Sequence, residues 1–85
     1  MRLSSLRKMI SHESAVPVYR QLAGILREAI GSGQIASGAP LPSESSLMQE
    51  YGISRDSVRK AMDVLRAEGL VITVQGKGSF AAEDG

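Results

Sequence analysis

SESSLMQEYGISRDSVRKAMDVLRAEG, residues 43–69, holds two short helical patterns separated by one tight turn. Ser43 stands where an N-cap is wanted, and Glu44 follows in the first turn, where the helix dipole favours an acid. Leu47, Met48 and Tyr51 give that helix a small apolar face, and Gly52 closes it. Only Gly52 and Ile53 come before the next cap, Ser54. Beyond it Val58, Ala61, Met62 and Leu65 recur at i, i+3, i+4 and i+7, the buried stripe of a helix that ends at Gly69. Two helices joined by so short a turn with Gly in it carry the helix-turn-helix signature.

Upstream, Val18, Leu22, Ile25, Leu26, Ala29 and Ile30 form an apolar helical stripe. Pro17 suits its first turn, and Gly31 and Gly33 stop it, giving a first helix over Pro17 to Gly31. Pro40 and Pro42 forbid a helix interior in the next segment, which supports at most a short edge strand over Ala39 to Leu41. Downstream, Leu70 to Val74 is apolar and β-branched, Gln75-Gly76-Lys77-Gly78 is a turn, and Ser79 to Ala82 returns. The order is helix, strand fragment, helix, helix, hairpin. The fold class is therefore mainly α with a small antiparallel sheet, a winged helix-turn-helix of three helices plus a β-hairpin wing. Residues 16–82 form this domain, 1–15 an N-terminal extension with the spacing of a short helix, and 83–85 a frayed end or the start of a linker.

At 85 residues the chain has room for one domain, which buries only about 60% of its unfolded surface. It has no Cys, hence no disulfide framework, and its single His12 cannot make a zinc site alone. The longest aliphatic run, Leu70 to Val74, falls far short of the ~20 residues of a membrane span. Arg2, Arg7 and Lys8 stand where a signal peptide would need an apolar core, so a cytoplasmic location is expected. Net charge is only +1, but it is uneven in space. Arg55, Arg59, Lys60 and Arg66 share one segment, while Glu28, Glu44, Glu50 and Glu68 are dispersed.

On a helical wheel with Arg55 at zero, Arg66 and Arg59 fall at roughly 20° and 40°, and the apolar set centres near roughly 290°. The three arginines make a cationic edge beside the buried face, with Ser54 and Ser57 at its N-terminal end. The first residues of a recognition helix reach base edges, and Arg can grip guanine O6 and N7 together. A solvated charged face is the plain alternative, outweighed by the turn upstream and the wing downstream. In the wing, Gly76 and Gly78 serve a hairpin turn; they also let the backbone approach a phosphate or a minor-groove floor, with Gln75 and Lys77 beside them. Ser43, Glu44 and Ser54 are first helix caps, whose remaining N–H groups can meet phosphates. Tyr51 is assigned to the core. Tyr19 has two open readings, a hydroxyl for a phosphate or a partly buried packing role.

Five motifs in this order and spacing also resemble the GntR family of bacterial transcription regulators. They are Pro17-Val18-Tyr19, Leu41-Pro42-Ser43-Glu44, Ser54-Arg55-Asp56-Ser57-Val58-Arg59-Lys60-Ala61, Glu68-Gly69-Leu70 and Gly76-Lys77-Gly78-Ser79-Phe80. The likeness runs from about Val16 to Ala82, and the Pro-Val-Tyr start is most similar to the HutC and YtrA branches. It implies a homodimeric repressor or activator, with a repressor expected, on a pseudo-palindromic operator of double-stranded DNA. It implies that Arg55 and Arg59 contact bases or phosphates and that Gly76 enters the minor groove. Many members carry Arg where this chain has Ser45, which can bond a phosphate but cannot grip guanine with two bonds. DNA binding carries over; the family's usual base preference does not.

The expected DNA-contacting set is Tyr19, Ser43, Glu44, Ser45, Ser54, Arg55, Ser57, Arg59, Gln75, Gly76 and Lys77. No cofactor, metal or membrane is expected, and no residue here forms a pocket for a small-molecule effector. Members of the family normally add an effector-binding and dimerising domain, so the chain is either an excised domain or a compact regulator without a sensor. For a chain standing alone, Leu3, Leu6, Met9 and Ile10 at helical spacing are the spare apolar surface for dimerisation. The competing function is a winged-helix protein-interaction adaptor, which has no need of the cationic edge. An enzyme finds no support, since no acidic pair stands with a nucleophile and the serines sit at caps and turns.

Overall fold

Each helix begins where the chain offers a residue with extended backbone and an accepting carbonyl or hydroxyl. In the computed structural model, which describes residues 10–83, α1 spans Val18–Gly31, α2 Glu44–Tyr51 and α3 Arg55–Ala67. Pro17 is the N-cap of α1 rather than its first helical residue. Its fixed φ of −56° suits the extended cap, and its carbonyl accepts from the Arg20 and Gln21 amides. Gly31 remains helical, and the chain leaves α1 at Gly33, whose φ is +89°. Strands β1 (Val71–Val74) and β2 (Gly78–Ala81) pair antiparallel, with Val71 opposite Ala81, Ile72 opposite Phe80 and Thr73 opposite Ser79. Leu70 stays out of β1 because its amide donates to the Leu65 carbonyl, closing α3.

The strand fragment expected over Ala39 to Leu41 is present as a single bridge, Pro40 to Phe80. The Gly38 and Leu41 amides donate to the Ala81 and Ser79 carbonyls, and the Ala81 amide donates to Ala39. Pro40 and Pro42 have no N–H to extend the ladder, so pairing along β2 ends there.

The core lies between α1 and α3. Leu22, Ala23 and Leu26 pack with Val58, Ala61, Met62 and Leu65, and Leu47 and Tyr51 of α2 join them. Val71 closes the base from the wing. Leu22, Leu47, Val58 and Leu65 are the largest fully buried side chains, each stabilising by roughly 1.5–3 kcal/mol relative to exposure. The buried stripe of α1 includes Ala23, while Ile25, Ala29 and Ile30 are only half-buried. A helix that meets one partner squarely buries a narrower line than its apolar pattern spans.

The N-terminal segment departs from expectation. Ile10 is 7% exposed and belongs to the domain's own core, so it is not spare surface for a dimer. Residues 10–16 run as turns and bends rather than a helix. Gln21 holds them: its Nε2 donates to the Ser11 and Val16 carbonyls, and its Oε1 accepts from the Ser11 amide. Leu3, Leu6 and Met9 lie outside the described residues.

Arg27 of α1 grips Glu68 at the end of α3 with two bonds, Nε to Oε1 at 2.9 Å and Nη2 to Oε2 at 2.7 Å. These bonds hold the Glu68 carboxyl below its ordinary range and raise the Arg27 guanidinium. A depressed carboxyl contributes stability that is present above its unfolded pKa and lost as pH falls through the folded one. Thermal melts should therefore fall more steeply on acidification below about pH 4.5 for the natural chain than for Glu68→Gln. Parallel curves would show that the pair, exposed at both ends, adds nothing.

Candidate nucleic-acid interface

Both helix N-termini of the turn motif are capped in the same way. Ser43 Oγ accepts from the Ser46 amide and Ser54 Oγ from the Ser57 amide, each at 3.1 Å. Each cap hydroxyl also donates to the hydroxyl three residues on, Ser46 and Ser57. Gly52 joins the two helices at φ +66° and ψ +43°, a left-handed conformation that costs other L-residues roughly 1–2 kcal/mol. Ile53 is buried, so the turn is pinned to the core from within. Ser54→Ala should lower stability by about 1 kcal/mol, read as a shifted urea midpoint with unchanged slope. An unchanged midpoint would mean that water or Ser57 replaces the cap.

This turn sets the first residues of α3 beside the first turn of α2. Glu44 consequently lies between two arginines: its Oε1 is 3.4 Å from Arg55 Nε, and its Oε2 is 3.4 Å from Arg59 Nε. One carboxylate thus faces two guanidinium groups one turn apart on the exposed side of α3. All three side chains remain substantially open to solvent. The third member of the expected cationic edge is placed differently. Arg66 turns toward the wing, donating to Thr73 Oγ1 and pairing with Asp63.

At the wing tip the Lys77 amide donates to the Val74 carbonyl, closing a turn with Gly76 at its third position and φ +81°. That position needs a positive φ, which explains glycine there. A Cβ built on Gly76 would meet no atom within 4 Å, so the tip is open on its outer side.

An open cleft of about 920 Å³ runs between α2, α3 and the wing. Ser43, Glu44, Ser45, Arg55, Arg59 and Lys77 of the expected set line it together. Ser54, Ser57, Gln75 and Gly76 of that set do not line it. Tyr19 is apart: half-buried on α1, its ring lies under Lys60, with Nζ 5.9 Å from the centroid. Lys60 also pairs with Asp56 at 3.4 Å. Tyr51 is buried in the core as expected, and burial, with the charge of Glu50, pushes its phenol pKa up. Asp63, Thr73 and Ser79 were absent from the expected set; a lone Thr inside an apolar run was the available signal. Among the described residues no His, Cys, Asp and Glu cluster could hold a metal ion, and no helix is long and apolar enough to cross a membrane.

Three helices, a glycine turn between the second and third, and a two-stranded hairpin beside the third define a winged helix-turn-helix domain. The sequence matches the family described as bacterial regulatory proteins, gntR family, over residues 18–81. This chain belongs to the gntR family. It is 40% identical over 68 residues to the mannosyl-D-glycerate transport/metabolism system repressor MngR of Escherichia coli, covering 80% of this chain and 28% of the relative. It is 36% identical over 74 residues to the transcriptional repressor NagR of Bacillus subtilis, covering 87% and 30%. The chain thus spans under a third of either relative's length. Among solved structures, AraR(DBD) in complex with operator ORR3 superposes with a TM-score of 0.78 at 37% identity, covering 86% of this chain and 88% of that one. YtrA from Sulfolobus acidocaldarius, a GntR-family transcription factor, gives 0.80 at 32% identity, covering 89% and 80%. The domain is that of a DNA-binding transcription regulator.

Proposed function

We propose that the domain reads an operator with residues 54–68 in the major groove and the wing tip, residues 75–78, at the minor groove. The observation that carries this reading is the pair Arg55 and Arg59, held side by side by Glu44 at the mouth of the cleft. A carboxylate between two guanidinium groups limits their rotamers before DNA arrives. Guanine O6 and N7 or a phosphate then supplies acceptors where water was. Ser43, Ser45, Ser54 and Ser57 stand at helix N-termini, where free amides and hydroxyls suit phosphates. Lys77 adds charge at the wing, Gln75 and Gly76 form its outer edge, and Tyr19 offers a hydroxyl to a flanking phosphate.

The chain acts in the cytoplasm as part of a repressor, as the names of MngR and NagR support. It binds as a homodimer, matching two-fold protein symmetry to a pseudo-palindromic site. The test is binding to a duplex recovered from a random DNA pool, measured over a range of salt. Affinity should fall with a log–log slope of about −0.9 for each phosphate contacted. Binding without salt dependence, or none to any duplex, would favour a protein-docking adaptor.

A further inference from the structure

Arg66 shares the edge of α3 with Arg55 and Arg59, yet its side chain is the least exposed of the three, at 37% against 54% and 65%. One Nη donates to Thr73 Oγ1 at 2.7 Å, and the other pairs with Asp63, one turn back on α3. Thr73 Oγ1 lies 3.2 Å from Ser79 Oγ, its partner across the hairpin. A continuous set of contacts therefore runs from the recognition helix through both strands of the wing.

The wing needs such a tie. A two-stranded hairpin alone is marginal in water. Val71 and Ala81 anchor its base in the core, and the segment 38–41 holds β2 as far as the Ser79 carbonyl, whereas Ile72, Thr73 and Val74 of β1 and the whole turn are exposed. Arg66 is suited to the work because its planar fork serves Asp63 and Thr73 at once. Asp63 also balances its charge, which weakens the pull of a phosphate on it.

We propose that Arg66 is a positioning residue that fixes the angle of the wing to α3. The arginine pair and the wing tip then meet DNA as one rigid unit, and half-sites that present both grooves in that geometry are favoured. This rests on the DNA-reading function proposed above, so the test has one arm that needs no DNA.

In the free chain, backbone ¹⁵N relaxation at residues 75–78 is compared with that of Thr73→Val, which keeps the side-chain shape and a strong strand former while removing the acceptor. Order parameters at the tip should drop from about 0.85 toward about 0.6, with α3 unchanged, and Thr73→Ser should restore them. Arg66→Gln is the second variant should Thr73→Val fail to fold. An unmoved wing tip in both variants would overturn the proposal.

In the DNA arm, the pool-selected duplex serves as probe in a double-mutant cycle with Lys77→Ala. Thr73→Val should weaken binding about three- to tenfold when Lys77 is present and cause no further loss when it is absent. Full additivity would overturn the brace. If the unsubstituted chain binds no duplex, the DNA reading falls and the relaxation arm alone decides whether Arg66 holds the wing.

Discussion

Arg59→Ala is expected to weaken operator binding by about 1–3 kcal/mol, with Arg55→Ala close behind, while both variants stay folded. The two arginines approach one carboxylate through Nε at 3.4 Å and are well exposed, so each pair adds only about 0–1 kcal/mol to stability. Their value lies in what they meet, not in what they hold. Removing one leaves Glu44 facing a single guanidinium, and its charge then opposes the phosphates more strongly. Arg59→Lys separates charge from geometry: a lysine keeps the cation but loses the fork that matches guanine. If alanine costs the same on the selected duplex and on random DNA, Arg59 contacts only phosphate. If it costs nothing on either, α3 is not the reading helix.

Leu65→Ala should lower stability by about 2–5 kcal/mol, a large share of the roughly 4–13 kcal/mol expected for a domain of this size. Leu65 is 0% exposed, in a core cluster with Leu22 and Leu26 of α1 and Val71 of the wing. The cavity left by alanine would therefore lie where helices and wing meet. Urea unfolding followed by circular dichroism reads the loss directly. DNA binding should fall with the folded fraction, and saturating duplex should restore part of it by mass action. A loss under about 1 kcal/mol would mean that the surrounding side chains collapse into the gap.

Much of the fold was legible because its signals are local. Ser43 and Ser54 precede helices whose apolar positions recur with the right period, and Gly52 stands where the turn needs a positive φ. The hairpin and even the bridge around Pro40 followed from residue type, since proline cannot donate to a ladder. Ile10 was misread for a physical reason. Its spacing from Leu3, Leu6 and Met9 suggested one helical face, but a single aliphatic residue can be buried by the main core without belonging to a helix. The edge of three arginines was read from a wheel, which gives direction around the axis and nothing about a neighbouring element. Thr73 lay close enough to Arg66 to take it out of that set.

By itself the sequence determined the order of the elements, the serine caps of α2 and α3, the buried stripe of α3 and the placing of Arg55 and Arg59 on one side of it. These depend on helical period and on the chemistry of residues a few positions apart. Only the tertiary structure decided that Glu44 bridges the two arginines, that Arg66 braces the wing, and that Arg27 joins Glu68 across 41 positions. Those contacts depend on the distance and angle at which whole elements pack. That geometry is set by the combined shape of the core, which no single stretch of the chain contains.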